Sequence, residues 1–104
     1  MSESSIRVQA RLKDGITQVK ALINHPMETG ARKNAQGELV PAHFIEEVQC
    51  KHKDQLVMNA IWSGGISQNP YLSFNFKGGE VGDTLTVSWT DNLGKSDSVE
   101  AQIR

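Results

Sequence analysis

Cys50, His52 and Met58 are the residues of this chain with the clearest capacity for metal chemistry. Two residues apart in an extended segment, Cys50 and His52 fall on one face, and Met58 returns on a neighbouring strand. Thiolate, imidazole and thioether are the donor types of a blue-copper centre. Such a centre takes two imidazoles, and His25 and His43 lie far away in sequence. The plainer reading is a small core cysteine, a core methionine and a turn histidine, and the donor set favours it. His25 and His43 stand at the two ends of a long polar stretch, in Asn24-His25-Pro26 and Pro41-Ala42-His43-Phe44. If that stretch returns on itself, the imidazoles approach as a metal or acid–base pair. Otherwise they cap strand ends or bond to loop backbone, the preferred reading.

Other chemistry finds little support. Trp62-Ser63-Gly64-Gly65 resembles a nucleophile elbow only superficially, because no helix pattern follows it. Glu46 and Glu47 are adjacent, so in a strand they point to opposite faces and cannot act as a pair. Gly64-Gly65 and Gly78-Gly79 have no lysine and no following helix, which excludes a phosphate loop. Met27, Trp62 and Tyr71 lie near loops and are candidate interface anchors, with core packing favoured for Trp62.

The elements that must position these residues are strands. Period-two alternation recurs in short runs separated by Gly, Asn and Asp, and helical periodicity is nearly absent. In the first run Ile6, Val8, Ala10 and Leu12 share a face. Asp14-Gly15 then marks a two-residue turn with positive φ at both positions. That turn pairs Lys13 with Ile16, Ala10 with Val19, Val8 with Ala21 and Ile6 with Ile23. A second pair spans residues 42–51 and 55–63. A three-residue turn at His52, Lys53 and Asp54 would set Phe44 against Trp62, Val48 against Met58 and Cys50 against Leu56. It also puts Glu46 opposite Ala60, a flaw in that register. Tyr71 to Lys77 alternates cleanly, with Leu72, Phe74 and Phe76 on one face. Residues 84–90 and 96–103 form the last pair around Asn92-Leu93-Gly94, matching Val87 with Val99 and Leu85 with Ala101, Trp89 on the same face. Seven strands predict an all-β, immunoglobulin-like antiparallel β-sandwich, with Val8, Ile23, Phe44, Val48, Trp62, Phe74, Phe76, Val87 and Trp89 in its core.

Residues 28–41 (ETGARKNAQGELVP) break this rhythm. So long a polar connection is often a binding loop. The alternatives are a solvated loop without duty and a polar hairpin around Gln36-Gly37.

At 104 residues the chain is expected to form one domain over residues 1–104. Its 11 basic and 12 acidic side chains sum to −1, which offers no footprint for nucleic acid or an anionic membrane. A single cysteine excludes an internal disulfide. No apolar run reaches the roughly 18–20 residues of a membrane span. The N-terminal residues lack the charged and apolar regions of a secretory signal, so read literally the chain is cytoplasmic.

The linear motifs add a resemblance. His25-Pro26-Met27-Glu28-Thr29-Gly30, Arg32-Lys33, Val40-Pro41-Ala42-His43-Phe44-Ile45, Gly65-Ile66-Ser67-Gln68-Asn69-Pro70-Tyr71-Leu72, Phe74-Asn75-Phe76, Gly82-Asp83 and Val87-Ser88-Trp89-Thr90-Asp91-Asn92 resemble the SoxZ family, in order and along nearly the whole chain. The resemblance implies a non-catalytic, immunoglobulin-like subunit of a thiosulfate-oxidation carrier complex. Its partner would be SoxY, whose C-terminal Gly-Gly-Cys-Gly-Gly arm carries the sulfur intermediates, with transient visits from other Sox enzymes. It also implies a periplasmic location, reached with a SoxY that bears a twin-arginine signal. No cofactor or metal is expected on this reading, and no carrier role transfers to Cys50. Pro26, Met27, Arg32, Lys33, Pro70 and Tyr71 are the expected partner contacts, since the long loop and the turn before Tyr71 offer anchors outside the strand pattern. The rival functions are a small periplasmic copper-binding sandwich protein using Cys50, His52 and Met58, and a generic adhesion module.

Overall fold

The computed structural model describes residues 5–62, 66 and 68–104. Seven strands follow in chain order: β1 (Ile6–Lys13), β2 (Ile16–Ile23), β3 (Ile45–His52), β4 (Gln55–Ile61), β5 (Tyr71–Lys77), β6 (Thr84–Asp91) and β7 (Ser96–Gln102). They form two antiparallel sheets, one ordered β1-β2-β5 and the other β4-β3-β6-β7. No helix occurs among the described residues. The sheets close along one side, where β1 runs beside β7 and Ala10 bridges Ile103.

The first hairpin has the expected register, from Ile6 opposite Ile23 to Lys13 opposite Ile16. Asp14 and Gly15 carry φ of 54° and 77°, the left-handed pair that such a turn requires. The last hairpin also matches, with Val87 opposite Val99 and Leu85 opposite Ala101.

The middle hairpin differs from its expectation. Its turn is the two residues Lys53 and Asp54, at φ 51° and 69°, and His52 pairs with Gln55. The register shifts between Cys50 and Lys51, leaving Val57 as the extra residue, so that Cys50 faces Met58 and Val48 faces Ala60. The bulge returns Met58 and Ala60 to the inner face after a turn shorter by one residue, while Leu56 and Ile61 stay exposed. It also removes the conflict at Ala60. The Ser63 end of the expected strand, and Gly64, Gly65 and Ser67 of the motifs, lie outside the described residues.

The core lies where the inner faces meet: Val19 and Ile23 from one sheet, and Ile45, Val48, Cys50, Leu85, Val87 and Trp89 from the other. Val8, Phe44, Trp62, Phe74 and Phe76 pack against it half-buried. Gly79 shows how tightly the end near β7 closes. At φ +91° a side-chain carbon there would stand 2.6 Å from Thr17 Oγ1 and 2.9 Å from Ile103 Cδ1.

Candidate functional site

Alternation on β2 does not stop at the strand's end. Thr17, Val19, Ala21 and Ile23 are buried in turn, and so are His25 and Met27 beyond them. The same continuation on β6 carries Leu85, Val87 and Trp89 inward and then Asp91. The two inner faces converge at one end of the sandwich, so an imidazole and a carboxylate 66 residues apart in sequence meet in the interior. His43, just before β3, completes the group.

Asp91 Oδ2 lies 3.2 Å from His25 Nε2 and 2.7 Å from His43 Nε2. The His25 ring stands edge-on to His43 and to Trp89, with centroids 4.5 and 5.1 Å away. Its proton can be placed by its neighbours. The amide of Met27 donates to His25 Nδ1 at 3.1 Å, so Nδ1 carries no hydrogen and Nε2–H donates to the carboxylate. The other carboxylate oxygen, Oδ1, accepts from the amides of Leu93 and Lys95 at 3.0 and 2.9 Å. Asp91 is thus a four-donor hub that ties both ends of the long loop to the β6–β7 turn.

The electrostatics follow from this arrangement. Burial alone would raise the Asp91 carboxyl. The bonds from His43, Lys95, His25 and Leu93 outweigh it and hold the group below the usual carboxylate range. Burial dominates at His25 and lowers its basicity against the upward pull of its bond to Asp91, with His43 adding to the lowering.

Two imidazoles and one carboxylate within 4.8 Å are a metal-binding donor set. The hydrogen-bond pattern argues against an ion here. Coordination through His25 Nε2 would force its proton onto Nδ1, directly against the Met27 amide. The 2.7 Å separation of His43 Nε2 and Asp91 Oδ2 is also a hydrogen-bond length, shorter than the roughly 3.3 Å between ligands of a tetrahedral ion with ~2.0 Å bonds. The cluster is a clamp.

The clamp holds residues 24–44 in shape. Glu28 and His43 exchange backbone hydrogen bonds across the loop's base. Farther out Lys33 bridges Leu39, and Asn34 Oδ1 accepts from the amides of Gln36 and Glu38. The loop is therefore the polar hairpin around Gln36-Gly37. Asn92 secures the return strand by donating to Ala42 O and accepting from the Phe44 amide.

The residues expected as partner contacts fare differently. Pro26 is exposed, and Tyr71 is 59% exposed on the outer face of β5. Lys33 is exposed on the hairpin. Arg32 is exposed too, but Glu28 engages its guanidinium through both carboxylate oxygens, so its charge is locally matched. Pro70 is buried, its carbonyl accepting from the Ile23 amide. Met27 is buried at 4% exposure, with its sulfur 3.3 Å from the Ile45 amide. Neither Met27 nor Pro70 is a surface anchor in this fold. β2's alternation carries the first inward, and the turn at Asn69, which bonds to the backbone of His25, carries the second.

Cys50, His52 and Met58 do not present a copper site. Burial pushes the Cys50 thiol up to about 11, disfavouring the thiolate. His52 Nε2 is already bonded to Asp83 at 2.7 Å, and its ring lies against Phe76. Asp91 is the functional residue that sequence reasoning missed. Its signal was present, since it continues the alternate series Leu85, Val87, Trp89.

Residues 6–102 match the family described as sulphur oxidation protein SoxZ. No curated protein matches the chain. Among solved structures, a variant of the superoxide reductase (neelaredoxin) from Ignicoccus hospitalis aligns with TM-score 0.66 and 16% identity, over 97% of this chain and 79% of that one. A hypothetical protein from Pyrococcus horikoshii OT3 aligns at 0.65 and 13%, over 99% and 90%. The superoxide reductase from Archaeoglobus fulgidus in its reduced form aligns at 0.59 and 20%, over 95% and 86%. At such identities the likeness is one of fold.

Proposed function

We propose that this chain, which belongs to the SoxZ family, is the non-catalytic subunit of a sulfur-oxidation carrier complex and pairs with SoxY. The match over residues 6–102 carries this reading. The chemistry of the chain agrees with it. Its one thiol is buried and weakly acidic, unsuited to carrying sulfur intermediates. Its one three-residue cluster of histidine and carboxylate among the described residues has the His25 ring and the Asp91 carboxylate engaged with each other, with His43 and with loop backbone. A carrier arm on SoxY would supply the reactive thiol, and this sandwich would supply a stable body beside it.

The segments that carry the family resemblance, around His25, His43, Asn69 and Asp91, converge on the clamp. They set the position of the loop over residues 24–44, so the loop's exposed Pro26 and Lys33 remain the proposed SoxY contacts, and Tyr71, on the outer face of β5, is a proposed contact for an enzyme that visits the pair. Export to the periplasm together with SoxY is part of the same proposal.

Co-expression tests it. The chain and a SoxY from the same genome should purify as a one-to-one complex. The chain alone should leave thiosulfate unchanged. Two separate proteins on a sizing column, or turnover by the chain alone, would reject the reading.

A further inference from the structure

The outer face of the β1-β2-β5 sheet is a grid whose rows are set by strand register. They read Arg7-Leu22-Tyr71, Gln9-Lys20-Ser73, Arg11-Gln18-Asn75 and Lys13-Ile16-Lys77. All these residues are exposed. The grid holds five cations, Arg7, Arg11, Lys13, Lys20 and Lys77, and no acidic side chain; Asp14 lies in the turn beyond Lys13. None of the ion pairs among the described residues involves the five.

These five are nearly half of the chain's 11 cations, which leaves six against 12 carboxylates everywhere else. A chain of net charge −1 therefore has one strongly positive face and a negative remainder. Neighbours on one face of a sheet lie roughly 5–7 Å apart, within the ~10 Å Debye length at 0.1 M salt. The cations repel one another across the grid, and an incoming anionic surface relieves that repulsion. Gln9, Arg11, Gln18, Lys20 and Arg104, with Ala10, also line a depression of about 200 Å3, a seat for a carboxylate.

We propose that this face is a docking surface for the acidic face of a visiting protein. Charge complementarity selects the sign of the partner. Leu22, Tyr71 and Ile16, exposed at 44%, 59% and 43%, select its class. Tyrosine and arginine, here Tyr71, Arg7 and Arg11, are enriched at protein interfaces, and Leu22 and Ile16 add apolar contact beside the three lysines. A nucleic acid would meet one aromatic platform and a negative remainder of the molecule. The size of the face selects the lifetime. Three strands of about eight residues span roughly 25 by 15 Å, about half of the ~800 Å2 per partner that stable complexes bury. The contact is a transient one, fast to form and weakened by salt. It rests on the carrier-complex reading only for who the visitor is, an enzyme that acts on the SoxY arm and departs.

The test uses the intact chain and does not need SoxY, so it can fail while the pairing with SoxY stands, and the reverse. Amide chemical shifts are followed during titration with an acidic peptide of about twenty residues, glutamates interspersed with leucines, and in parallel with single-stranded DNA of equal charge. The peptide should shift β1, β2 and β5 amides, and its affinity should fall at least about tenfold between roughly 20 and 300 mM salt. The double variant Arg11→Glu/Lys20→Glu should weaken it about tenfold or more. Lys51→Glu, on the other sheet's outer face, should bind as the parent does. The proposal is overturned if the peptide does not bind or shifts another surface, if the DNA binds more tightly, or if the chain's own concentration shifts these amides without peptide.

Discussion

Asp91 is a single buried carboxylate on which four donors converge, from His25, His43, Leu93 and Lys95. Replacing it with alanine leaves those donors without their acceptor, and an unsatisfied buried donor costs about 1–3 kcal/mol. Asp91→Ala should therefore lose at least ~2 kcal/mol in urea unfolding, with the amides of residues 24–44 showing faster hydrogen exchange. Unchanged exchange in that loop would mean that the clamp does not hold it. Met27 makes a sharper contrast. A surface anchor could be truncated at no cost to stability, but this side chain is buried and its sulfur accepts from the Ile45 amide. Its backbone is held at φ 50°, unusual for a non-glycine residue. Met27→Ala should cost about 2–4 kcal/mol, measured by the same unfolding curves. The buried Cys50, its thiol raised to about 11, should react with a thiol reagent in the native protein far more slowly than in the unfolded chain.

The strands were the legible elements, because pleat alternation and turn chemistry act over a few residues. Asp14-Gly15 and Asn92-Leu93-Gly94 name their turns in the sequence, and both hairpins have the registers those turns dictate. Lys53-Asp54 names nothing, since neither residue favours the left-handed region as glycine does, and there the register came out otherwise. Supplying the missing signal is a test of the observed turn. The double substitution Lys53→Asn/Asp54→Gly should raise stability by about 1 kcal/mol if two residues with positive φ form the turn. A three-residue turn would gain nothing from it. The loss of the Lys53 and Asp54 side chains is cheap: Asp54 is exposed, and Lys53 makes only an exposed 3.4 Å contact with Asp83. Gly79→Ala tests the closure near β7. With Thr17 Oγ1 at 2.6 Å, Ile103 Cδ1 at 2.9 Å and φ at +91°, it should cost more than ~1 kcal/mol in melting experiments.

For the whole molecule, acid stability should fall in two steps. His25 is less basic in the folded protein than its ordinary 6.5. Below that ordinary value the unfolded chain takes up a proton that the folded one refuses, so stability drops until the folded value is reached, then levels. Asp91 is more acidic in the folded protein than its ordinary 3.8. Its contribution is complete above that value and is lost as pH falls through the lower folded one. Unfolding free energy measured from about pH 8 to about pH 3 should show both descents, and His25→Gln should remove the first. A single descent below about pH 4 in the parent protein would count against a buried neutral His25.

By itself the sequence determined the fold class, seven strands, two of three hairpin registers and, of its nine expected core residues, the buried Ile23, Val48, Val87 and Trp89, because each of these follows from alternation and turns within a short stretch of chain. Tertiary structure alone decided what those strands bring together. His25 and Asp91 lie on extensions of two inner faces, and only the packing of one sheet on the other makes the faces converge at one end. The buried Met27 follows from the same packing. Charge behaves likewise. Summed along the chain it is −1 and suggests no charged partner. Pairing β1 with β2 and β2 with β5 gathers five cations onto one surface and sends the carboxylates elsewhere, since strand register aligns alternating residues that a sum over the chain cannot separate.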